Sequence, residues 1–217
     1  MKKAMKPIVI FLLFILLSPN ITFSQDKKAQ DLLDKVSKKM KDLKSFYLEF
    51  NAVIKNTTNG KSENLKGTGW VKGNKYNANF AGNTIISNGF KTWTIIKEDK
   101  TVYESDASDE NEAINPKKIM TIWETGFLNK YVKEEQLNDQ TVHVINLTPK
   151  NPKKSDFKDI IIYISKANNE MTKAVINSKD ASTMIYSVTK FEKNPNIKDT
   201  KFVFDKKNYP GYHIEKD

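Results

Sequence analysis

Between Ser45 and Asp106, apolar and polar positions alternate in short runs, and most of the bulky apolar residues share one parity. Phe46, Leu48 and Phe50 are an example, with polar or amphipathic residues between them. A period of two with one apolar face is typical of a half-buried β-strand. The stretch therefore predicts a sheet with an aromatic-rich face and hardly any group suited to covalent chemistry.

Asn/Gly pairs mark the turns between these strands, at Asn59-Gly60, Gly73-Asn74, Gly82-Asn83 and Asn88-Gly89. Such pairs favour tight hairpins between neighbouring strands, so we expect an antiparallel meander instead of a parallel sheet. Five later segments also have the strand pattern: Thr141–Leu147, Phe157–Ser165, Met171–Asn177, Ser182–Glu192 and Lys201–Phe204.

Two helices are predicted beside the strands. Asp26 is a good N-cap for a helix over residues 27–43, whose apolar residues lie on one stripe. Asn115-Pro116 favours the start of a second, short helix, and the acidic stretch of residues 105–115 before it predicts a loop. One face of the second helix carries four apolar residues: Ile119, Met120, Trp123 and Phe127.

The many strands and few helices predict an α+β fold. A flat sheet of this size would leave one apolar face exposed. We therefore expect an incomplete, half-closed antiparallel β-barrel, with the N-terminal helix and the mid-chain helix covering its opening as a lid. Any part of the interior that the helices do not fill would remain as a hydrophobic cavity. The length of the chain fits one core, and we expect a single domain over residues 25–217.

The first 24 residues have the pattern of an export signal. Lysines precede an apolar run over residues 8–17, and Thr22 and Ser24 offer small residues for cleavage. Since this run is shorter than the about 20 residues of a membrane-spanning helix, we expect cleavage after Ser24. An uncleaved anchor is the alternative. The sequence contains no cysteine, so it has neither a lipid attachment cysteine nor a disulfide.

The basic charge of the chain does not point to nucleic acid. The formal net charge is +10, and removing the three lysines of the predicted signal leaves +7. All 36 basic residues are lysines, and they are interspersed with acidic residues. Nucleic-acid binders more often use arginine, whose planar fork reads phosphates and bases. A solvated surface is the favoured interpretation, and weak attraction to an anionic membrane or an acidic partner stays open.

Candidate catalytic and metal-binding residues are few, so we expect neither an enzyme nor a bound metal or cofactor. His143 and His213 lack the neighbours of a catalytic triad or a zinc site. The acidic residues 106–112 lack the glycine and the spacing of a calcium loop. Gly67 and Gly69 share one face of a predicted strand, and they leave a bare patch that a helix or a ligand could approach closely.

Several segments, in order along the chain, resemble the periplasmic outer-membrane lipoprotein carrier family, LolA. They are Leu43–Phe50, Gly67–Lys72, Ile86–Trp93, Asn146–Lys150, Lys201–Phe204 and Pro210-Gly211. In that family an arginine between the second and third strands holds the lid closed. This chain has no arginine, and Lys72 or Lys75 is the available substitute. Lysine lacks the planar guanidinium group of arginine, so a different lid contact, or no lid contact, is the alternative.

The resemblance implies a carrier with a hydrophobic cavity under a helical lid. Its cargo would be the acyl chains of lipoproteins, received in the periplasm from an inner-membrane ABC transporter and delivered to an acceptor at the outer membrane. We expect a monomer. A sensor or adaptor that uses the same half-barrel to bind lipid or protein is the alternative.

Apolar residues of the predicted strands and of the second helix are the candidates for the cavity wall. For any one of them, packing in the core is the simpler interpretation. The candidates for acyl-chain contact are Phe46, Leu48, Phe50, Trp70, Tyr76, Phe80, Trp93, Ile95, Ile119, Met120 and Trp123.

Overall fold

The computed structural model describes residues 26–107 and 120–216, and within these ranges it has one α-helix, α1 (Lys27–Asp42), and one sheet of 12 strands. The strands are β1 (Ser45–Asn56), β2 (Ser62–Lys72), β3 (Lys75–Phe80), β4 (Asn83–Ser87), β5 (Lys91–Ile96), β6 (Thr101–Asp106), β7 (Phe127–Leu137), β8 (Gln140–Pro149), β9 (Phe157–Ser165), β10 (Met171–Ser178), β11 (Ser182–Lys193) and β12 (His213–Lys216). None of the described helices has the length and apolar character needed to cross a membrane. The predicted export signal lies outside the described residues.

The strands form one open sheet in the order β12-β6-β5-β4-β3-β2-β1-β11-β10-β9-β8-β7. Neighbours pair antiparallel, except that β12 runs parallel to β6. Pairing of β1 with β11 joins the first six strands to the meander β7–β11. The predicted large antiparallel sheet with one N-terminal helix is confirmed, and β7 and β12 end it without closing a barrel.

The sheet curves around α1, and we call the face that packs on this helix the inner face. Leu33 of α1 belongs to the same buried cluster as Phe46 of β1, Ile85 of β4 and Leu147 of β8. In a flat sheet, β4 and β8 would be about 33 Å apart, because they are seven positions apart in the strand order. A helix about 10–12 Å in diameter cannot reach both. The sheet must therefore bend around it.

Helix α1 forms where its cap and its apolar stripe predict it. The carboxylate of Asp26 accepts hydrogen bonds from two backbone N–H groups of the first turn, at 2.9 and 3.2 Å. Ala29, Leu33, Val36 and Met40 are buried along one side. The helix ends at Asp42, and the next residue is already extended.

The predicted second helix differs from the structure in its described part. Ile122–Glu124 is a single 3-10 turn, and Phe127 begins β7. The helical path ends at Thr125, which is already extended, and Gly126 follows with a φ of +81°. The carbonyl of Gly126 accepts a hydrogen bond from the backbone N–H of Lys150 at 2.8 Å. The chain therefore joins the sheet at Phe127 instead of continuing as a helix. Residues 115–119, where this helix was predicted to start, lie outside the described residues.

The predicted strand at Lys201–Phe204 is wrong, because residues 194–212 cross the outer face of the sheet. Within this C-terminal segment, Asp199–Phe202 forms a 3-10 turn with Phe202 fully buried. The amide of Asn77 on β3 donates a hydrogen bond to the carbonyl of Lys201 at 2.9 Å. A chain that crosses a sheet face cannot join the ladder of the sheet. The segment leads instead to β12, which the sequence did not predict.

Candidate functional site

An apolar pocket of about 250 Å³ lies on the inner face of the sheet. Its walls come from β1–β3, from β9–β11 and from the segment before β7, and none of the described residues that line it is charged. They are Leu48, Phe50, Thr68, Gly69, Ala78, Asn79, Phe80, Met120, Ile122, Ile160, Met171, Ala174, Ile176, Tyr186 and Val188. Strands from both halves of the chain thus converge on one apolar space.

Glycines on β2 shape one wall of the pocket. Phe50 on β1 is directly opposite Gly67, and a Cβ placed on Gly67 would lie 2.0 Å from Cζ of Phe50. The ring therefore lies against the bare backbone of β2. Gly69, two residues on, pairs with Leu48 and lines the pocket itself. Of the two occupants considered from the sequence, a helix and a ligand, neither fills the patch at Gly67. The ring of Phe50 does.

Three aromatic side chains form a continuous part of this wall. The ring centroids of Phe50 and Phe80 are 5.5 Å apart, and Tyr186 on β11 lies 5.8 Å from Phe50 and 6.2 Å from Phe80. The rings are tilted relative to one another, an arrangement that aromatic pairs favour. They give the pocket an aromatic end.

The structure divides the cavity candidates of the inner face into two groups. The candidates that line the pocket are Leu48, Phe50, Phe80 and Met120. The candidates that are buried against α1 without lining the pocket are Phe46, Tyr76 and Trp123. In this second group, the indole N–H of Trp123 donates a hydrogen bond to Oγ of Ser37 on α1 at 2.9 Å. These three side chains therefore hold the helix on the sheet.

Three further candidates lie on the outer face. Trp70 stacks on Tyr47 with ring centroids 4.0 Å apart. Trp93 and Ile95 belong to a separate cluster that the C-terminal segment covers, and Trp93 stacks on Phe204 at 5.6 Å. Alternation along each strand sends these side chains away from the pocket. The last candidate, Ile119, lies outside the described residues.

Several lining residues were missed from the sequence, because all the candidates lie before residue 124 and none comes from the later strands. They come from β9–β11: Ile160, Met171, Ala174, Ile176, Tyr186 and Val188. The strands themselves were predicted. Their apolar alternation gave a usable signal, since Ala174 and Ile176, or Tyr186 and Val188, share one parity.

Ion pairs hold the C-terminal half of α1 to the sheet. Nζ of Lys39 lies 2.7 Å from Oε1 of Glu170 and 2.7 Å from the carbonyl oxygen of Asn168, and Lys193 of β11 also pairs with Glu170. Burial acts to raise the pKa of Glu170, but the two lysines outweigh it and hold that pKa below its usual value. Nζ of Lys41 lies 2.8 Å from Oε1 of Glu124 in the 3-10 turn.

The two histidines are far apart and have no catalytic neighbours in the described structure. His143 is buried, with Nδ1 3.3 Å from the hydroxyl oxygen of Tyr131 and 3.5 Å from a carboxylate oxygen of Glu134. Burial lowers the pKa of His143, although Glu134 acts to raise it. His213 is exposed on β12. Among the described residues, no three His, Cys, Asp or Glu side chains are grouped to hold a metal ion.

Family comparison identifies the fold. Residues 41–205 match the family model described as outer membrane lipoprotein carrier protein LolA. The chain belongs to the LolA family. The matched range contains every described residue of the pocket and all strands from β1 to β11. No curated protein sequence matches the chain.

The solved structures that match the chain are distant in sequence. An uncharacterized conserved protein from Thermus thermophilus is 13% identical, with a TM-score of 0.58 over 88% of this chain and 100% of that chain. LprF from Mycobacterium bovis is 13% identical, with a TM-score of 0.48 over 81% and 97% of the two chains. A LolA superfamily protein from Nitrosomonas europaea is 13% identical, with a TM-score of 0.41 over 81% and 97%.

In this LolA-family chain, the lysines considered as lid contacts bind elsewhere. Nζ of Lys72 lies 2.8 Å from Oδ1 of Asp199 and 3.0 Å from the carbonyl oxygen of Ile197. Nζ of Lys75 lies 3.4 Å from Oδ2 of Asp199. Both lysines therefore hold the C-terminal segment on the outer face, and the described ion pairs that reach α1 come from other residues.

Proposed function

We propose that this protein carries the acyl chains of lipoproteins across the periplasm. It would receive them from an inner-membrane ABC transporter and deliver them to an acceptor at the outer membrane. The observation that carries this proposal is the uncharged pocket of about 250 Å³ on the inner face of a LolA-family sheet. Burying hydrocarbon there contributes about 0.8 kcal/mol per methylene, so binding needs no covalent chemistry.

The size of the pocket supports binding of part of an acyl chain in the observed conformation. An apolar cavity of about 150 Å³ accommodates benzene. A pocket of about 250 Å³ accommodates a longer hydrocarbon segment but not several full chains. A larger cargo would need the part of the inner face that α1 covers beside the pocket, so α1 would have to move away from the sheet. Partly exposed ion pairs such as Lys39–Glu170 each contribute at most about 1 kcal/mol, so the apolar contacts of α1 would set most of the cost of this opening.

The remaining parts of the proposal follow from the sequence. Residues 1–24 would be removed on export, and residues 25–217 would act as one monomeric domain without a cofactor. The lipoprotein cargo and the transporter are the proposed partners, and nucleic acid is not one of them. LolA-family membership supports a carrier over an enzyme.

Filling the pocket tests the carrier function. A side chain at Gly69 would occupy the pocket, and losing the burial of two methylenes, at about 0.8 kcal/mol each, lowers affinity about tenfold. We expect Gly69→Leu protein, purified from the periplasm, to contain about one tenth of the acylated lipoprotein found by mass spectrometry on the unsubstituted protein. Asn51→Leu, at an exposed position of β1, is the matched control and should carry normal amounts.

The same experiment separates the carrier from an adaptor. A carrier should pass its bound lipoprotein to outer-membrane vesicles, and the Gly69→Leu protein should not. A sensor or adaptor that binds lipid would contain acyl chains but would not pass them to the vesicles. One that binds protein would retain a protein partner, contain no acyl chains and be unaffected by Gly69→Leu. Either result would refute the carrier proposal.

A further inference from the structure

Tyr186 places a phenol in the wall of the otherwise apolar pocket. On the inner face its direct neighbours across the ladder are Ala52 of β1 and Ala174 of β10. Because both are small, they leave room on the sheet for the tyrosine ring. The ring packs against Phe50 and Phe80 and lines the pocket with them.

The hydroxyl of Tyr186 has only a weak partner among the described residues. It donates to Sδ of Met184 at 3.6 Å. A thioether is a weak acceptor, and strong O–H···O bonds are about 2.7–2.8 Å long. Burial raises the pKa of Tyr186, which keeps the hydroxyl protonated at neutral pH. The group is therefore a donor that gains from a better acceptor.

The other polar side chains at the pocket, Thr68 and Asn79, lie on the outer side of their strands. The amide of Asn79 donates to Oγ1 of Thr68 at 3.4 Å, and its Oδ1 accepts from the hydroxyl of Thr84 at 2.7 Å. Strand alternation directs both side chains away from Gly69 and Ala78, their inner-face neighbours. Among the described lining residues, Tyr186 is thus the one whose side chain carries a hydrogen-bond donor on the inner face of the sheet.

The absence of charge in the described wall indicates which acceptor suits this donor. An ionised carboxylate would have no compensating cation among the described lining residues, and burying it would be costly. A neutral carbonyl oxygen needs only one donor. Ester and amide linkages of fatty acyl chains provide such an oxygen next to the hydrocarbon.

We propose that the Tyr186 hydroxyl is the polar anchor of the pocket and donates a hydrogen bond to the carbonyl oxygen of an acyl ester or amide. The pocket then selects neutral acyl esters and amides over plain hydrocarbons of similar length. This inference rests on the proposed binding of acyl chains, and it names the ligand group that the site recognises.

Two ligands and one substitution test the anchor. Methyl dodecanoate and dodecane are titrated against N-phenyl-1-naphthylamine bound to the protein, and loss of the fluorescence of this probe reports displacement. A hydrogen bond of ordinary net strength predicts that Tyr186→Phe weakens methyl dodecanoate binding about threefold to tenfold. Dodecane binding should change less than about twofold, because the ring and its apolar contacts are retained.

Tyr163→Phe on β9 is the matched control. Tyr163 has the opposite parity to Ile160 and Ile162, its ring contacts Lys173, and it does not line the pocket. The Tyr163→Phe substitution should leave the affinities for both ligands unchanged. Thermal unfolding of the two variants at similar temperatures would show that both retain the fold.

The outcomes separate the anchor from the carrier proposal. Equal weakening of both ligands by Tyr186→Phe would show that the residue only packs, and would overturn the anchor. Unchanged binding of methyl dodecanoate to the Tyr186→Phe protein would also overturn the anchor. If both ligands still displace the probe, the proposal that the pocket binds acyl chains is retained. If neither ligand displaces the probe from the unsubstituted protein, the acyl-binding proposal itself fails.

Discussion

The contact between Phe50 and the backbone of Gly67 fixes the aromatic end of the pocket. A Cβ at residue 67 would lie 2.0 Å from Cζ of Phe50, so Gly67→Ala must displace the ring or the strand. Overpacking of this kind costs about 1–3 kcal/mol. We expect Gly67→Ala to lower the free energy of unfolding by this amount, as measured by urea denaturation.

Phe50→Leu provides the control for that substitution. The shorter side chain removes the ring that a Cβ at residue 67 would meet. Gly67→Ala should therefore cost less in the Phe50→Leu protein than in the unsubstituted one. If Gly67→Ala lowers the free energy of unfolding equally in both proteins, contact with the Phe50 ring is not the reason for a glycine at this position.

Strand alternation predicted which residues share a face, but not which face forms the pocket. Phe46, Leu48 and Phe50 share the inner face as predicted, and two of them line the pocket. Trp70 and Trp93 could not be assigned in this way, because both faces of β2–β5 carry apolar residues. Only the three-dimensional path of the C-terminal segment shows what covers the outer face.

At the scale of elements, Glu170 connects α1 to β11 through Lys39 and Lys193. Glu170→Gln removes the charge that holds both lysines. We expect a loss of about 1 kcal/mol in unfolding free energy, together with faster exchange of bound acyl probe in stopped-flow fluorescence. Glu135→Gln, which removes the Lys133 pair on β7, is the control and should leave exchange unchanged.

The same carboxylate predicts a pH dependence. The pKa of Glu170 is lower in the folded protein than its usual value near 4.5. Its contribution to stability is thus present above about pH 4.5 and is lost as the pH falls through the lower, folded pKa. Urea midpoints measured between about pH 6 and 3 should fall less steeply for Glu170→Gln than for the unsubstituted protein. Parallel curves would contradict this role.

Elements with a local signal were predictable, and elements that depend on distant contacts were not. Asp26 and the apolar stripe defined α1, and Asn/Gly turns defined the hairpins of β2–β5. The edge strand β7 was missed, because few of its residues are buried and a bulge near Tyr131 interrupts its alternation. The turn at Asp199–Phe202 depends on the sheet face beneath it, which lies far away in sequence.

At the scale of the whole molecule, the single sheet separates two apolar clusters. Each cluster contains a different tryptophan, whose fluorescence can be followed. Trp123 lies in the inner cluster with α1, and Trp93 lies in the outer cluster under the C-terminal segment. Because the strands of one sheet support both clusters, we expect them to unfold together. Residues 25–217 would then behave as one cooperative domain.

Proteins with one remaining tryptophan test this cooperativity. Phe replaces two of the three tryptophans at a time, and unfolding in urea is followed by the fluorescence of the third. The midpoints reported by Trp93 and Trp123 should agree in proteins of equal stability. Phe202→Ala, which empties a fully buried site under the C-terminal segment, should lower both midpoints together and cost about 3–5 kcal/mol. If Phe202→Ala lowers only the urea midpoint reported by Trp93, the outer cluster unfolds independently of the sheet and α1.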